Sequence, residues 1–398
     1  MMVDVGRCSA LLAVLAIVSS GCDERVPVRP TVTVRATHPD GVPLHPFEHA
    51  TQMSGRLPDG EVVEVVRWGA GRRWLKVSAD DDTEGWISAS YLTEPPTVLG
   101  DVWRSGTACA GTEPPEREAG RARIASWNLH WFPDGSSRGP QDKATDESWM
   151  ACAISSLGVD VIAVQEVLLH DQGRRALDRM MVRLNERTGG SWESHLDGCP
   201  NDRRQHVGFL VDTSRVSVER VRQLDDVNPL GACTGRLRPG LAADLRFVDG
   251  LELALVTVHL DSGTGSRDRA HRTQSIDRLA AGAAGLGRDE VLVVGDFNTM
   301  GDDETEADEE LAALDARFAA AGLARIEGEV PCTEIYRRRG SLLDHAIATA
   351  GLRTAARLEV DGPCAPLGCR VPRGAHPSAL SRLSDHCPLI VDLPSSAP

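Results

Sequence analysis

VVGDFNTM, at residues 293–300, is an apolar run that ends at Gly295 and passes directly into a carboxylate and an amide, Asp296 and Asn298. The run reads as a buried strand. Gly295 lets the backbone turn at its end, and residues two apart in an extended chain point the same way, so Asp296 and Asn298 would face one site. Asp and Asn also make self-bonded turns. The strand before them and the phenylalanine between them favour a fixed site over a turn alone.

Five further stretches repeat this arrangement: SWNLHWF at 126–132, VIAVQEV at 161–167, VTVHLDSG at 256–263, SLLDHAIAT at 341–349 and SDHCPLI at 384–390. In each, an apolar run borders a carboxylate, an amide or an imidazole, which is how a buried sheet delivers reactive groups to one edge. Together Asn128, Glu166, Asp296, Asn298, Asp385, His259 and His386 supply ligands for a hard metal ion and two proton carriers. That is the inventory of a hydrolase. A lone strand-end glutamate such as Glu166 is ordinarily just solvated; its company gives it weight. Asp344 in LLDHAIAT adds the carboxylate that a catalytic histidine needs to fix its tautomer and raise its basicity.

Around these motifs the pattern predicts strands near 122–128, 159–165, 206–212, 241–248, 251–259, 290–295, 343–348 and 388–392, with helices at 145–157, 173–187, 267–284 and 304–322. Apolar strands alternating with helices predict an α/β sandwich, two mixed sheets packed face to face with helices outside, four layers in all. The chain of 398 residues is long enough for this domain and a smaller one. Its net charge of -15 excludes a protein that coats nucleic acid generally. The charge leaves room for an enzyme that grips phosphates locally through arginines and a metal.

The first residues read as a targeting segment over 1–21. Arg7 precedes the apolar run ALLAVLAIV at 10–18 and then SSGC at 19–22, a run too short to span a bilayer comfortably. The cysteine after small residues resembles a bacterial lipoprotein signal, with Cys22 lipidated and the protein held at the cell envelope; plain secretion is the alternative. The membrane is a partner only through that lipid anchor. Export predicts disulfides among Cys109, Cys152, Cys199, Cys233, Cys332, Cys364, Cys369 and Cys387. Cys199 with Cys233 and Cys364 with Cys369 are the expected pairs, the latter because PCAPLGC is a tight loop.

Residues 28–94 carry short β-rich segments between PDG and GAG turns and read as a small all-β barrel. GWISASYL resembles the last strand of bacterial Src-homology-3-like domains, which implies a cell-wall peptide as partner. Trp68, Trp74, Trp86 and Tyr91 are read as core rather than ligand-binding aromatics. The stretch 95–121, poor in apolar residues, reads as linker.

Over 122–394 the motifs, in their order, resemble the endonuclease/exonuclease/phosphatase superfamily, the deoxyribonuclease-I-like fold. SWNLH and VQEV match its metal-site residues at Asn128 and Glu166, and VHL matches its histidine at His259. GDFN matches the pair at Asp296 and Asn298, LDH the supporting Asp344, and SDH the metal aspartate Asp385 with the catalytic His386. His130 departs from the pattern and leaves local metal geometry open. The resemblance implies hydrolysis of a phosphate ester with magnesium, or else manganese or calcium, as the cofactor. Nucleic acid is the expected substrate, held by Arg203, Arg204, Arg236 and Arg238, with the run Arg337 to Arg339 as a further cluster; all of these are equally readable as solvated surface. The alternatives are a lipid or small-molecule phosphoesterase, like the sphingomyelinase and inositol-phosphatase branches, and an inactive wall-binding lipoprotein.

Overall fold

The computed structural model describes residues 31–36, 40–47, 50, 52–68, 74–79, 83–88, 91, 99–117, 120–135, 143–200, 204–300, 304–328, 330, 332–336, 339–369 and 377–394. The readings placed on 1–21, Cys22, Arg203, Arg337 and Arg338 lie outside these residues, as does the side chain of Trp68.

The N-terminal part is all β. β1 (Thr31–Thr33), β2 (Val42–Leu44), β3 (Gly55–Leu57), β4 (Val62–Trp68), β5 (Trp74–Ser78) and β6 (Glu84–Ser88) form two small antiparallel sheets, ordered β1-β4-β5-β6 and β2-β3. Alternation puts Val63, Val65, Leu75, Val77 and Ile87 into one shared core. Trp86 is buried, whereas Trp74 is half-buried with His45 edge-on at 5.0 Å.

Part of the stretch expected to be linker is structured. α1 (Asp101–Arg104) and α2 (Gly106–Ala110) cap the next domain, with Trp103 against Trp127 at 5.8 Å and Trp149 donating to the Val102 carbonyl at 2.7 Å. Helices this short carry no readable period.

Two six-stranded sheets follow. The first runs β19 (Arg357–Val360), β20 (Leu389–Pro394), β7 (Arg121–Phe132), β8 (Val161–Leu168), β10 (Gln205–Asp212) and β9 (Trp192–Leu196). The second runs β11 (Val216–Leu224), β12 (Gly240–Phe247), β13 (Glu252–His259), β14 (Val291–Asp296), β18 (Asp344–Thr349) and β15 (Leu323–Arg325). Only β7 with β8 and β13 with β14 pair in parallel among the named strands; the other ladders are antiparallel. Ile124, Ala163, Phe209, Leu255, Leu292 and Val294 fill the space between the sheets. α3 (Glu147–Ser156) and α4 (Asp171–Thr188) cover the outer face of the first sheet, and α5 (Ser266–Ala284) and α6 (Glu304–Ala320) that of the second. This is the expected sandwich with helices outside. Burial of such a core contributes roughly 25 cal/mol per Å² of apolar surface.

A hairpin, β16 (Glu334–Tyr336) and β17 (Arg339–Ser341), and the short helices α7 (Ala350–Ala355) and α8 (Ser378–Arg382) complete the fold. All eight cysteines from 109 to 387 are paired: Cys109–Cys152, Cys199–Cys233, Cys332–Cys369 and Cys364–Cys387. The expected bridge inside PCAPLGC does not form. The loop closes instead through its backbone, the Cys369 N–H donating to the Cys364 carbonyl at 3.0 Å, and this leaves both thiols to bridge outward.

Candidate active site

Register does much of the assembly. His259 is opposite Asp296 in the β13–β14 ladder, and Asp296 is opposite Asp344 in the β14–β18 ladder, so three reactive groups stand side by side on adjacent strands. The two chains approach very closely there: a Cβ on Gly295 would lie 2.2 Å from the Val258 carbonyl oxygen, and its φ of 144° suits only glycine.

The first sheet brings its residues by breaking regularity. The β7–β8 register shifts between Asn128 and Phe132, and the β8–β10 register shifts between His206 and Gly208. His130, Trp131 and Glu166 take φ values of 49°, 55° and 62° at these irregularities, and Asn298 takes 49° across the site. Left-handed backbone at non-glycine residues costs of order 1–3 kcal/mol each and collects where a side chain must be aimed.

The result is a connected set. The Asn128 amide donates to Glu166 Oε1 at 3.2 Å and to Asp296 Oδ2 at 3.0 Å, and the Trp131 N–H fixes Glu166 Oε2 at 3.0 Å. His259 Nε2 is 3.4 Å from Asp296 Oδ2 and 3.6 Å from Glu166 Oε1. Asp344 Oδ2 accepts from His386 Nδ1 at 2.8 Å, leaving Nε2 of His386 turned to the site, 3.8 Å from Asp296 Oδ2. Asp344 is itself anchored, since its N–H donates to Thr333 Oγ1 at 2.9 Å.

Two expected site residues are held by contacts of their own. Asn298 is not in extended continuation of Asp296: its backbone turns left-handed, its N–H donates to Asp296 Oδ1 at 2.9 Å, and its amide donates to the Leu260 carbonyl at 3.2 Å. It thereby holds the loop that follows His259. Asp385, grouped with Asn128 and Glu166 from sequence, lies 2.7 Å from His130 Nδ1. The departure from the family pattern at His130 is thus occupied in holding Asp385.

The arginines separate as well. Arg236 is committed to Asp261 and Asp268 at 2.8 and 2.7 Å. Arg204 donates to the Cys233 carbonyl and Arg238 to the Gln205 amide oxygen, leaving Nη2 of Arg204 and Nε of Arg238 buried without a hydrogen bond. Burial pulls the Arg238 guanidinium down while the nearby Glu166 and Asp296 carboxylates push it back up. Arg238 therefore belongs to the site and Arg236 to its frame.

Glu334 has no counterpart in the sequence reading. Its carboxylate lies 4.0 Å from His386 Nε2, on a strand too short to be seen as an apolar run.

Charge dominates this pocket. Burial pushes Asp296 up to about 7 and Glu334 up to about 8, with neighbouring carboxylates adding to both. Burial also opposes the charged form of His386, but Asp344, Asp296 and Asp385 outweigh it and hold the imidazole well above its ordinary value. Burial, then Arg238 and His386, keep His259 well below it, hence neutral. Burial would raise Asp385, yet His130 brings it below the usual carboxylate range.

Crowded carboxylates of this kind suit a divalent cation. Among the described residues no group of three His, Cys, Asp or Glu side chains is spaced to hold a metal ion by itself. Glu166 offers oxygens to a hard ion that keeps several waters and takes substrate oxygens, rather than an all-protein cage; the Asn128 oxygen, expected as a second ligand, accepts instead from the His130 N–H at 3.0 Å while its amide faces Glu166.

The family model described as the Endonuclease/Exonuclease/phosphatase family matches residues 125–386. The chain belongs to that family. Its members include nucleases and phosphatases and typically use divalent metals, which classes the chain with phosphoric ester hydrolases. Among solved structures it is similar to D. rerio TDP2 carrying 14 humanising mutations, at 17% identity over 69% of this chain and 99% of that one, TM-score 0.46. It is similar to a family member from Bacteroides thetaiotaomicron at 17% identity over 69% and 97%, TM-score 0.47. It is also similar to the mannosyl-6-phosphatase of Bacteroides thetaiotaomicron at 16% identity over 68% and 98%, TM-score 0.46. No curated protein matches the chain.

Proposed function

We propose that the chain is an exported, metal-dependent phosphodiesterase that cleaves nucleic acid internally. The observation that carries this reading is the His386–Asp344 pair at 2.8 Å, with Nε2 of the imidazole turned towards a pocket that also holds Asp296, His259 and Glu166. A pair of this kind has no packing purpose, and it is built to move a proton.

Magnesium, or else manganese or calcium, bound at Glu166 with Asn128 and Asp385 close by would polarise a phosphate oxygen and offset charge on the leaving oxygen. The chain's own groups do the rest. His386, oriented by Asp344, takes a proton from the attacking water at Nε2. His259, kept neutral, serves as a hydrogen-bond donor to the phosphate from Nε2 rather than as a strong acid. Asn128 orients Glu166 and Asp296, and Asn298 orients the His259 loop.

Arg238 and Arg204 support a substrate with phosphates beyond the one cut, because each keeps a buried N–H without a partner. Trp131, 37% exposed beside Glu166, offers a ring on which a base can stack. Export is supported by four disulfides that use every cysteine from 109 to 387. The N-terminal sheets would then bind cell-wall peptide, a reading supported by exposed Phe47 and the His45–Trp74 ring pair, with lipidated Cys22 as the anchor.

The test is incubation of the mature protein with supercoiled plasmid, RNA, sphingomyelin and inositol phosphates, in magnesium and then in chelator. Metal-dependent nicking supports the proposal. Turnover of lipid or inositol phosphate with plasmid and RNA intact would overturn it, and wall binding without turnover would favour an inactive anchor.

A further inference from the structure

Glu334 is the one site carboxylate whose position the scheme above does not use, and its backbone is tied to His386 on both sides. Glu334 and His386 form a β-bridge. The Ile335 N–H donates to the Asp385 carbonyl at 2.7 Å, and the Cys387 N–H donates to the Thr333 carbonyl at 2.7 Å. Two disulfides, Cys332–Cys369 and Cys364–Cys387, pin the same two segments. The fold therefore places the Glu334 backbone directly against His386, within side-chain reach of the imidazole.

Its separation from His386 Nε2 is 4.0 Å, too long for a hydrogen bond. One water within about 2.8 Å of each of two groups holds them roughly 4 to 4.5 Å apart, so the gap is the size of a shared water. Asp296, at 3.8 Å from the same nitrogen, is the competing partner for that water. Both oxygens of Asp296 are already engaged, Oδ1 by the Asn298 N–H and Oδ2 by the Asn128 amide. Among the described residues no hydrogen bond satisfies the Glu334 carboxylate, and its side chain is 15% exposed, open to the pocket. An ionised or a neutral carboxyl presents an acceptor oxygen alike.

We infer that Glu334 is a catalytic residue that accepts a hydrogen bond from the attacking water. This rests on the phosphodiesterase reading. Once His386 is deprotonated, the water gives one proton to its Nε2 and keeps the other, which points at Glu334. Its oxygen forms the new bond to phosphorus. The bond to the leaving oxygen breaks with its electron pair, and that oxygen is protonated from solvent. Fixing both protons aims the lone pair at phosphorus, which is an orientational contribution to rate.

The test uses the full chain in magnesium with an oligodeoxynucleotide carrying a fluorophore and a quencher. Glu334→Ala should lower kcat about 100-fold with KM within about threefold of the parent. Glu334→Gln keeps an acceptor oxygen and the same volume, and should lose only about tenfold. Sodium formate should restore part of the Glu334→Ala rate, and sodium chloride at equal ionic strength should not; a merely structural residue would show no such rescue. A Glu334→Ala rate within about threefold of the parent overturns the role of Glu334 alone. Equal losses in both variants, without formate rescue and with lowered melting temperatures, also overturn it. An oligonucleotide left intact by the parent enzyme overturns the phosphodiesterase reading as well.

Discussion

Replacing Asp344 by Asn removes a charge from the site while leaving its shape. Asp344 is buried and its Oδ2 receives the His386 Nδ1–H at 2.8 Å, whereas its Oδ1 has no hydrogen bond. Behind it lies a cavity of about 30 Å³ lined by Arg325, Val330, Leu342 and Leu358 among others, room for one water. An Asn can turn its oxygen to His386 and its amide towards that cavity, so the fold should survive. What is lost is the attraction between carboxylate and imidazolium. With charge centres about 4 Å apart and an effective dielectric near 20 this is about 4 kcal/mol, or about three pKa units. The His386 imidazole becomes a weaker base by that amount, and kcat/KM should fall by about 10²- to 10⁴-fold. The sign on the pH profile follows. Asp344 holds His386 above its ordinary value, so its removal moves the acid limb of the rate profile to lower pH. Steady-state kinetics across pH, with thermal melting as control, measures both effects. An Asp344→Asn enzyme with an unshifted acid limb and a rate within about threefold of the parent refutes the reasoning.

Other outcomes are expected. Glu166→Gln should abolish stimulation by magnesium in a titration of activity while the melting temperature stays within a few degrees; gross unfolding would count against a ligand role. Cys364→Ala with Cys387→Ala opens a loop of 23 residues adjoining His386, and should cost about 3 kcal/mol in denaturant unfolding together with most of the activity. His345 is held down to about 3, first by burial and then by Arg325. A depressed histidine contributes stability that is present above its unfolded value near 6.5 and is lost as pH falls towards 3. His345→Gln should therefore lose about 2–3 kcal/mol less than the parent between pH 7 and pH 4.5, as read by denaturant unfolding. Equal losses would show that His345 does not contribute.

The centre of each sheet was legible and its margins were not. The eight strands expected from apolar runs are β7, β8, β10 and β20 in one sheet and β12, β13, β14 and β18 in the other, the four inner strands of each. β9, β11, β15 and β19 are the four edges, and none of them stood out. Inner strands are buried on both faces, as in β10 and β14, and so spell continuous apolar runs; β19 alternates between exposed and half-buried positions. The same logic divides the site. Asp296, His259, Asp344 and His386 announce themselves because each ends or adjoins an inner strand. The His130–Asp385 contact depends on left-handed backbone at a bulge, which residue types do not reveal. Glu334 lies in a hairpin strand of three residues, and the cystine pairing around it depends on which loops meet in space. The left-handed turn at Asn298 was not legible either, because the extended chain assumed for GDFN ends at Asp296.

Single-turnover cleavage of a labelled oligodeoxynucleotide by the parent chain and by His386→Ala, both in saturating magnesium, tests the central claim most directly. The account predicts metal-dependent internal cleavage by the parent, and a loss of about 10²-fold or more in His386→Ala with oligonucleotide binding unchanged. Cleavage by His386→Ala at the parental rate, or none by the parent, would contradict it.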